Sequence, residues 1–181
     1  MINIKTKKAF TLIEALVAIS ILVMSVVAPL TIVAQSMFQA RYSKDQVTAI
    51  YLAQEAVEMI RYVRDRNMMQ NLLGAELDWL DRIPTNVWIS PGWADARDGS
   101  FRSCPGNNPK SCQYLKYQGA YNLNLGDSTK FKRAVKVIKS TNNQDEAQIV
   151  SRVYWISGAV GERYVEVKSY IYNWARVEDN N

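Results

Sequence analysis

Histidine is absent from this sequence, which removes Ser–His and Cys–His nucleophile pairs and His-ligated metal sites from the available chemistry. No glycine-rich phosphate loop and no convergent carboxylates stand in for them. Cysteine is scarce. The two present, Cys104 and Cys112, flank a stretch containing Pro105, Gly106, Asn107, Asn108 and Pro109, and their separation is not the two-residue spacing of a zinc or redox pair. A small disulfide loop, implying an oxidising compartment, is the better reading. Two reduced, buried thiols are the alternative, but a loop so rich in Pro, Gly and Asn is poor core material. Charge is missing from one long stretch: between Lys8 and Arg41 the only charged side chain is Glu14.

What is present begins with that stretch. Residues 10–34 hold only Thr11, Glu14, Ser20, Ser25 and Thr31 as polar side chains, enough apolar length to cross a bilayer core of about 30 Å as helix. Lys5, Lys7 and Lys8 precede it and belong on the cytoplasmic side by the positive-inside tendency, so the remainder is expected to be exported. An ordinary secretory signal would have a hydrophobic region of about 7–15 residues and a small-residue cleavage site, here Ala34; this run is too long for that. A plain single-span anchor is the other simple reading. Against it stands Glu14, whose carboxylate costs about 2.5–3.5 kcal/mol near a bilayer centre and less towards the edge. Something is expected to compensate that charge.

The run Lys7-Lys8-Ala9-Phe10-Thr11-Leu12-Ile13-Glu14-Ala15-Leu16-Val17-Ala18 resembles the class III leader junction of type IV prepilins and type II secretion pseudopilins. The resemblance implies cleavage between Ala9 and Phe10 by a membrane prepilin peptidase and N-methylation of Phe10. It also implies that Glu14, fifth in the mature chain, pairs with the N-terminal amine of a neighbouring subunit and sets axial register. A lone charge in lipid is expensive and a paired one much less so, which makes assembly the state that satisfies Glu14. The family most often has Gly before the cut, and Ala9 departs from that with the least disruptive replacement. Pro29, late in the span, removes a backbone hydrogen bond and is expected to kink or locally open the helix.

Beyond the membrane Ala49, Leu52, Ala53, Ala56, Val57, Ile60 and Val63 recur at three- and four-residue steps. The opposite face carries Lys44, Asp45, Gln54, Glu58, Arg61 and Asp65, with Arg61 and Asp65 one turn apart. One helix from about Phe10 to Arg66 would run roughly 85 Å, its second half packed on a globular head. Tyr51-Leu52-Ala53-Gln54-Glu55-Ala56-Val57-Glu58-Met59-Ile60-Arg61 is similar to the same region of V-type minor pilins and I-type minor pseudopilins, as is the ending over residues 165–174.

From residue 74 to 112 the pattern breaks at Pro84, Pro91, Gly92, Gly99, Pro105, Gly106 and Pro109, leaving one short helix expected near residues 75–82. Trp79, Trp88 and Trp93 read as core anchors of this irregular region. Asp95 and Asp98-Gly99 lack the repeated acidic positions of a calcium loop. Residues 114–123, 131–138, 148–156 and 164–174 read as strands with short connections, an antiparallel meander. In the last of them Val165, Val167 and Ile171 share the face expected to pack on the helix.

These readings give an α+β fold of the type IV pilin kind, a long N-terminal helix on an antiparallel sheet of about four strands. The expected organisation is a leader (1–9), a transmembrane and assembly helix (10–35), the amphipathic helix of the head (36–73), an irregular region with the disulfide (74–112) and the sheet (113–181). The resemblance implies a non-enzymatic structural subunit without cofactor or metal, a minor pilin of a type IV pilus or related fimbrial filament. The alternatives are a minor pseudopilin of a type II secretion system, a DNA-uptake pilin or a membrane-tethered binding protein. Implied partners are other pilin subunits, the prepilin peptidase, the inner-membrane assembly platform and membrane lipid. Nucleic acid is disfavoured: the formal charge of +5 falls to +2 once Lys5, Lys7 and Lys8 are set aside. Strand alternation also splits Arg133 from Lys132 and Lys136 in the cluster Lys130, Lys132, Arg133, Lys136, Lys139. The implied location is the bacterial inner membrane before assembly, with the head outside the cytoplasm, and a surface or periplasmic filament afterwards.

Overall fold

The structure, a computed structural model, describes residues 10–158 and 161–174. The chain divides into two compact units, Met1–Lys44 and Asp45–Asn181, and the helix α1 (Leu12–Leu72) contributes residues to both.

In the first unit α1 opens on Thr11. Its carbonyl accepts the first intrahelical bond from the Ala15 amide at 3.1 Å, and its hydroxyl accepts from the Glu14 amide at 3.3 Å. This is the N-cap half of a Thr-x-x-Glu capping box. The hydroxyls further along satisfy themselves on the preceding turn: Ser20 donates to the Leu16 carbonyl at 2.8 Å, Ser25 to Leu22 at 2.7 Å, Thr31 to Ala28 at 2.7 Å and Ser36 to Ile32 at 2.9 Å. An apolar helix therefore carries its few hydroxyls at little cost in lipid, where no water completes their bonds. The helix assignment runs unbroken through Pro29.

In the second unit α1 buries Ala49, Leu52, Ala53, Ala56, Val57, Ile60 and Val63, the three- and four-step face read from the sequence. The helix extends six residues past the expected Arg66, to Leu72. It ends where Gly74, at φ 93, adopts a left-handed conformation that favours glycine. The Ala75 amide donates to the Gln70 carbonyl and the Gly74 amide to Asn71, both at 3.0 Å, which is a Schellman closure.

The short helix expected near residues 75–82 does not form; the segment is a series of turns. Two asparagines of α1 take the backbone groups that a helix would have used. The Asn71 side chain donates to the Leu77 carbonyl and accepts from its amide, each at 2.8 Å, and Asn67 donates to the carbonyls of Asp81 and Trp79 at 2.8 and 3.3 Å. A six-residue helix, α2 (Trp93–Asp98), forms instead downstream.

Among the described residues the sheet has seven strands where about four were expected: β1 (Trp88–Ser90), β2 (Arg102–Ser103), β3 (Tyr114–Tyr117), β4 (Tyr121–Asn122), β5 (Asp127–Lys139), β6 (Glu146–Ile156) and β7 (Glu162–Tyr172). The single strand expected over residues 114–123 is a hairpin, β3 and β4, turning at Gly119. β5, β6 and β7 form the antiparallel meander, in register from Lys132↔Tyr154 to Lys139↔Ala147 and from Glu146↔Tyr172 to Ile156↔Glu162. The other side of β5 takes β3 near its start and β1 near its end, through Asp127↔Tyr117 and Lys136↔Trp88. The main core joins Ile60, Val63 and Met68 of α1 to Val135, Val137, Ile149 and Ile171 of the sheet, with Trp79, Leu80 and Ile83 from the turns. Each fully buried aliphatic side chain here contributes about 1.5–3 kcal/mol. Val167 packs against this core beside Ile171.

Candidate functional site

The candidate assembly determinants lie at the start of α1. Phe10 is exposed, and so is every described large aliphatic side chain of the first unit, from Leu12, Ile13 and Leu16 to Val33 and Met37, together with Phe38. A continuous apolar surface of this extent exceeds what a monomeric soluble domain leaves in water and marks contact with lipid or other chains. Among the described residues one helix is long and apolar enough to cross a membrane. Glu14 lies on it at the third helical position, exposed, and among the described residues its carboxylate has no ion-pair partner. Ala9 and the rest of residues 1–9 lie outside the described residues.

Cys104 and Cys112 form a disulfide with Cα atoms 4.6 Å apart. The sulfurs are not displayed on an open loop: both cysteines are buried with Trp88, Ala134 and Val150 in a second small core. The Asn107 side chain accepts from the Trp88 amide at 2.7 Å, tying the loop to β1.

The second unit also contains an ionic site that sequence reasoning missed. Arg133, 0% exposed, points inward from β5. It donates to Glu55 Oε2 at 2.5 Å and to the Pro91 carbonyl at 2.7 Å, joining α1, the sheet and the loop before α2. The other Glu55 oxygen accepts from Trp93 Nε1 at 2.7 Å. Trp93 is accordingly not a core anchor; it is 39% exposed, while Trp79 and Trp88 are buried. Burial pushes the Arg133 guanidinium down, and the Glu55 carboxylate opposes that. Asp95 is buried too, and desolvation pushes its carboxyl up against the pull of Arg102. The signal for Arg133 was its parity: it shares the inward face of β5 with Val135 and Val137, which left a charge to be matched from the helix.

Three of the other four cations of the basic cluster, Lys130, Lys132 and Lys139, have partners within the second unit. Lys130 pairs with Asp45 at 2.5 Å, Lys139 with Asp78 at 3.7 Å, and Lys132 donates to the Lys110 carbonyl at 2.9 Å. Arg61 pairs with Glu58, and Asp65 with Arg64, in place of an Arg61–Asp65 pair. No group of three or more metal-ligating His, Cys, Asp or Glu side chains occurs among the described residues.

Residues 4–28 match the family model described as the prokaryotic N-terminal methylation motif. No curated protein and no solved structure matches the chain. The motif and the fold point to a structural protein and not an enzyme. The N-terminal methylation motif, followed by a long N-terminal helix packed on a C-terminal antiparallel sheet, is consistent with the broad type IV pilin and pseudopilin superfamily.

Proposed function

We propose that this chain is a structural subunit, a minor pilin, of a type IV pilus or a related filament. In this reading prepilin peptidase cuts between Ala9 and Phe10, Phe10 is N-methylated, and the first half of α1 anchors the subunit in the inner membrane with the head outside the cytoplasm. The assembly platform then moves it into a filament in which α1 packs against α1 of other subunits. The observation that carries the reading is Glu14, a carboxylate on an exposed apolar helix with no cationic partner among the described residues. In lipid that charge is costly, and the Phe10 amine of a neighbouring subunit would satisfy it.

The test compares membrane-bound and sheared-filament fractions for the wild-type chain and Glu14→Gln. The variant is expected to accumulate in the membrane and to be depleted from filaments by roughly tenfold, the loss of about 1.4 kcal/mol of pairing. Equal incorporation would reject the pairing mechanism.

A further inference from the structure

The sheet ends differently on its two sides. Beyond β5 on one side it closes with β2 and β4, each two residues long. On the other it ends in β7, eleven residues long, which among the described residues pairs with β6 alone. Bonding alternates along an antiparallel ladder. The Ser157 amide donates to the Gly161 carbonyl at 3.1 Å and the Asn173 amide to the Asp145 carbonyl at 2.9 Å, so the odd-numbered residues of β7 bond to β6. Glu162, Tyr164, Glu166, Lys168, Tyr170 and Tyr172 therefore turn their amides and carbonyls to the outside. Arg64 donates to the Tyr172 carbonyl at 2.8 Å and covers that end. Native edges of this length are blunted by proline, a bulge or repelling charge. β7 has no proline, keeps unbroken register with β6, and carries Glu162 and Glu166 balanced by Arg163 and Lys168.

We propose that this edge pairs with the same edge of a second copy of the chain, antiparallel about a two-fold axis at Val165. Outward-facing groups must meet outward-facing groups, which leaves few registers. Centred on Glu166, the pair sets that carboxylate against its own copy, and like charges directly opposite are destabilising. Centred on Val167, it needs the Tyr172 carbonyl, which Arg64 holds. Centred on Val165, it uses only the open stretch from Glu162 to Lys168, and Glu162 faces Lys168 of the second copy at both ends. Within one head Glu162 pairs with Lys110 and Lys168 with Glu166, exposed pairs that are each worth little. Association comes from the backbone edge; the charges choose among registers, chiefly by what they exclude. At the axis two half-buried valines, Val165 and its copy, lose their remaining contact with water. A two-fold contact closes on itself, so it joins heads in pairs and does not propagate. The inference concerns the second unit and is independent of the filament reading.

The experiment uses the full chain in detergent micelles with single added cysteines and a mild oxidant, read on non-reducing gels. Val165→Cys is expected to give a disulfide-linked dimer, because opposed side chains at a non-hydrogen-bonded pair come within disulfide reach. Ser169→Cys, on the same face of the same strand but not opposite itself, is expected to cross-link at least about tenfold more slowly. Lys168→Glu added to Val165→Cys sets two like-charged pairs in each dimer and is expected to slow cross-linking roughly tenfold; Glu162→Lys does the same. Mixing these two chains restores both opposite pairs and is expected to restore the rate, with unchanged tryptophan fluorescence showing that every head is folded. No Val165→Cys dimer overturns the proposal, leaving the edge to another part of the chain or to another protein. Equal cross-linking at Ser169→Cys, as association through the apolar helix alone would give, overturns it too. Failure of the mixed chains to recover overturns the register.

Discussion

Glu55→Ala is expected to destabilise the head strongly, although Glu55 is not itself fully buried. The Arg133 side chain is 0% exposed and that of Glu55 30%, so the two partners are not equivalent. Removing the glutamate leaves a guanidinium out of water with only the Pro91 carbonyl at 2.7 Å and the Leu52 carbonyl at 3.5 Å, and its Nε already has no partner. Breaking a buried pair in this sense costs about 3–5 kcal/mol, a large part of the roughly 5–15 kcal/mol that holds a domain folded. Removing the arginine instead, by Arg133→Met, fills a similar volume, and Glu55 keeps Trp93 and access to solvent. What is lost is the donor to Pro91, about 1–3 kcal/mol. The double variant is therefore expected to be more stable than Glu55→Ala alone, a negative coupling that a simple sum of lost contacts does not give. Urea unfolding of the full chain in micelles, read by the buried Trp79, Trp88 and Trp155, measures all three. If Glu55→Ala costs under about 1 kcal/mol, or the double variant is the least stable, burial of Arg133 does not govern the energetics and the reasoning fails.

Mass spectrometry of membrane-extracted protein is expected to find a mature chain that begins at N-methylated Phe10; an intact leader, or an end near Gln35, contradicts the processing proposal. The Cys104–Cys112 loop, with a sequence separation of 8, is expected to stabilise the head by about 2.5 kcal/mol, measured as the loss on Cys104→Ala/Cys112→Ala. Labelling under denaturing, non-reducing conditions should find no reactive thiol. Asp95→Asn is expected to raise the melting temperature at neutral pH. Burial lifts the Asp95 carboxyl above its ordinary value, so its favourable contribution exists at low pH and is lost as pH rises through the folded value; the advantage of the variant should fade as pH falls towards about 4. Glu166 has the opposite sign: Arg152 holds its carboxyl below the usual range. Its contribution is present above about pH 4.5 and lost on acidification, and Glu166→Gln should flatten that part of the acid unfolding curve.

The parts of this molecule legible in its sequence are those governed by period and by local chemistry. The buried face of α1 and the β5–β6–β7 meander follow from recurrence at three to four and at two residues, and such patterns survive because the core enforces them. The region between α1 and β3 was not legible, because its backbone is satisfied by side chains remote in sequence. Nothing in residues 75–82 announces that Asn67 and Asn71 take their amides and carbonyls. β1 and β2 are too short to show alternation and exist because the edge of β5 accepts Trp88 and Ile89. Trp93 was misjudged for a related reason. An indole has a polar edge as well as an apolar face, and here Glu55 offered that edge a partner at the surface.

Glu14, for which an assembly role is proposed, also has a place in the local structure of the helix start. Thr11-x-x-Glu14 is both the heart of the prepilin resemblance and the pattern of a capping box, and the Glu14 amide is bonded to the Thr11 hydroxyl. A carboxylate in the first turn is favoured by the helix macrodipole, which offsets part of the cost of the charge in lipid even without a partner. The same dipole disfavours a positive amine on Phe10, just outside the first turn, so after cleavage each chain would hold an amine needing an anion beside a carboxylate needing a cation. Pairing within one chain and pairing between neighbours then compete, and packing of apolar helices favours the second by placing the charges at one depth. Glu14→Ala would remove both the charge and the side chain able to close the capping box on the Thr11 amide. Glutamine at this position keeps that ability, since Glu and Gln serve the capping box alike, and loses only the charge. A filament defect shared by Glu14→Gln and Glu14→Ala, with α-helical circular dichroism unchanged in Glu14→Gln, assigns the effect to pairing. A defect confined to Glu14→Ala assigns it to the cap and removes the main support for an electrostatic register.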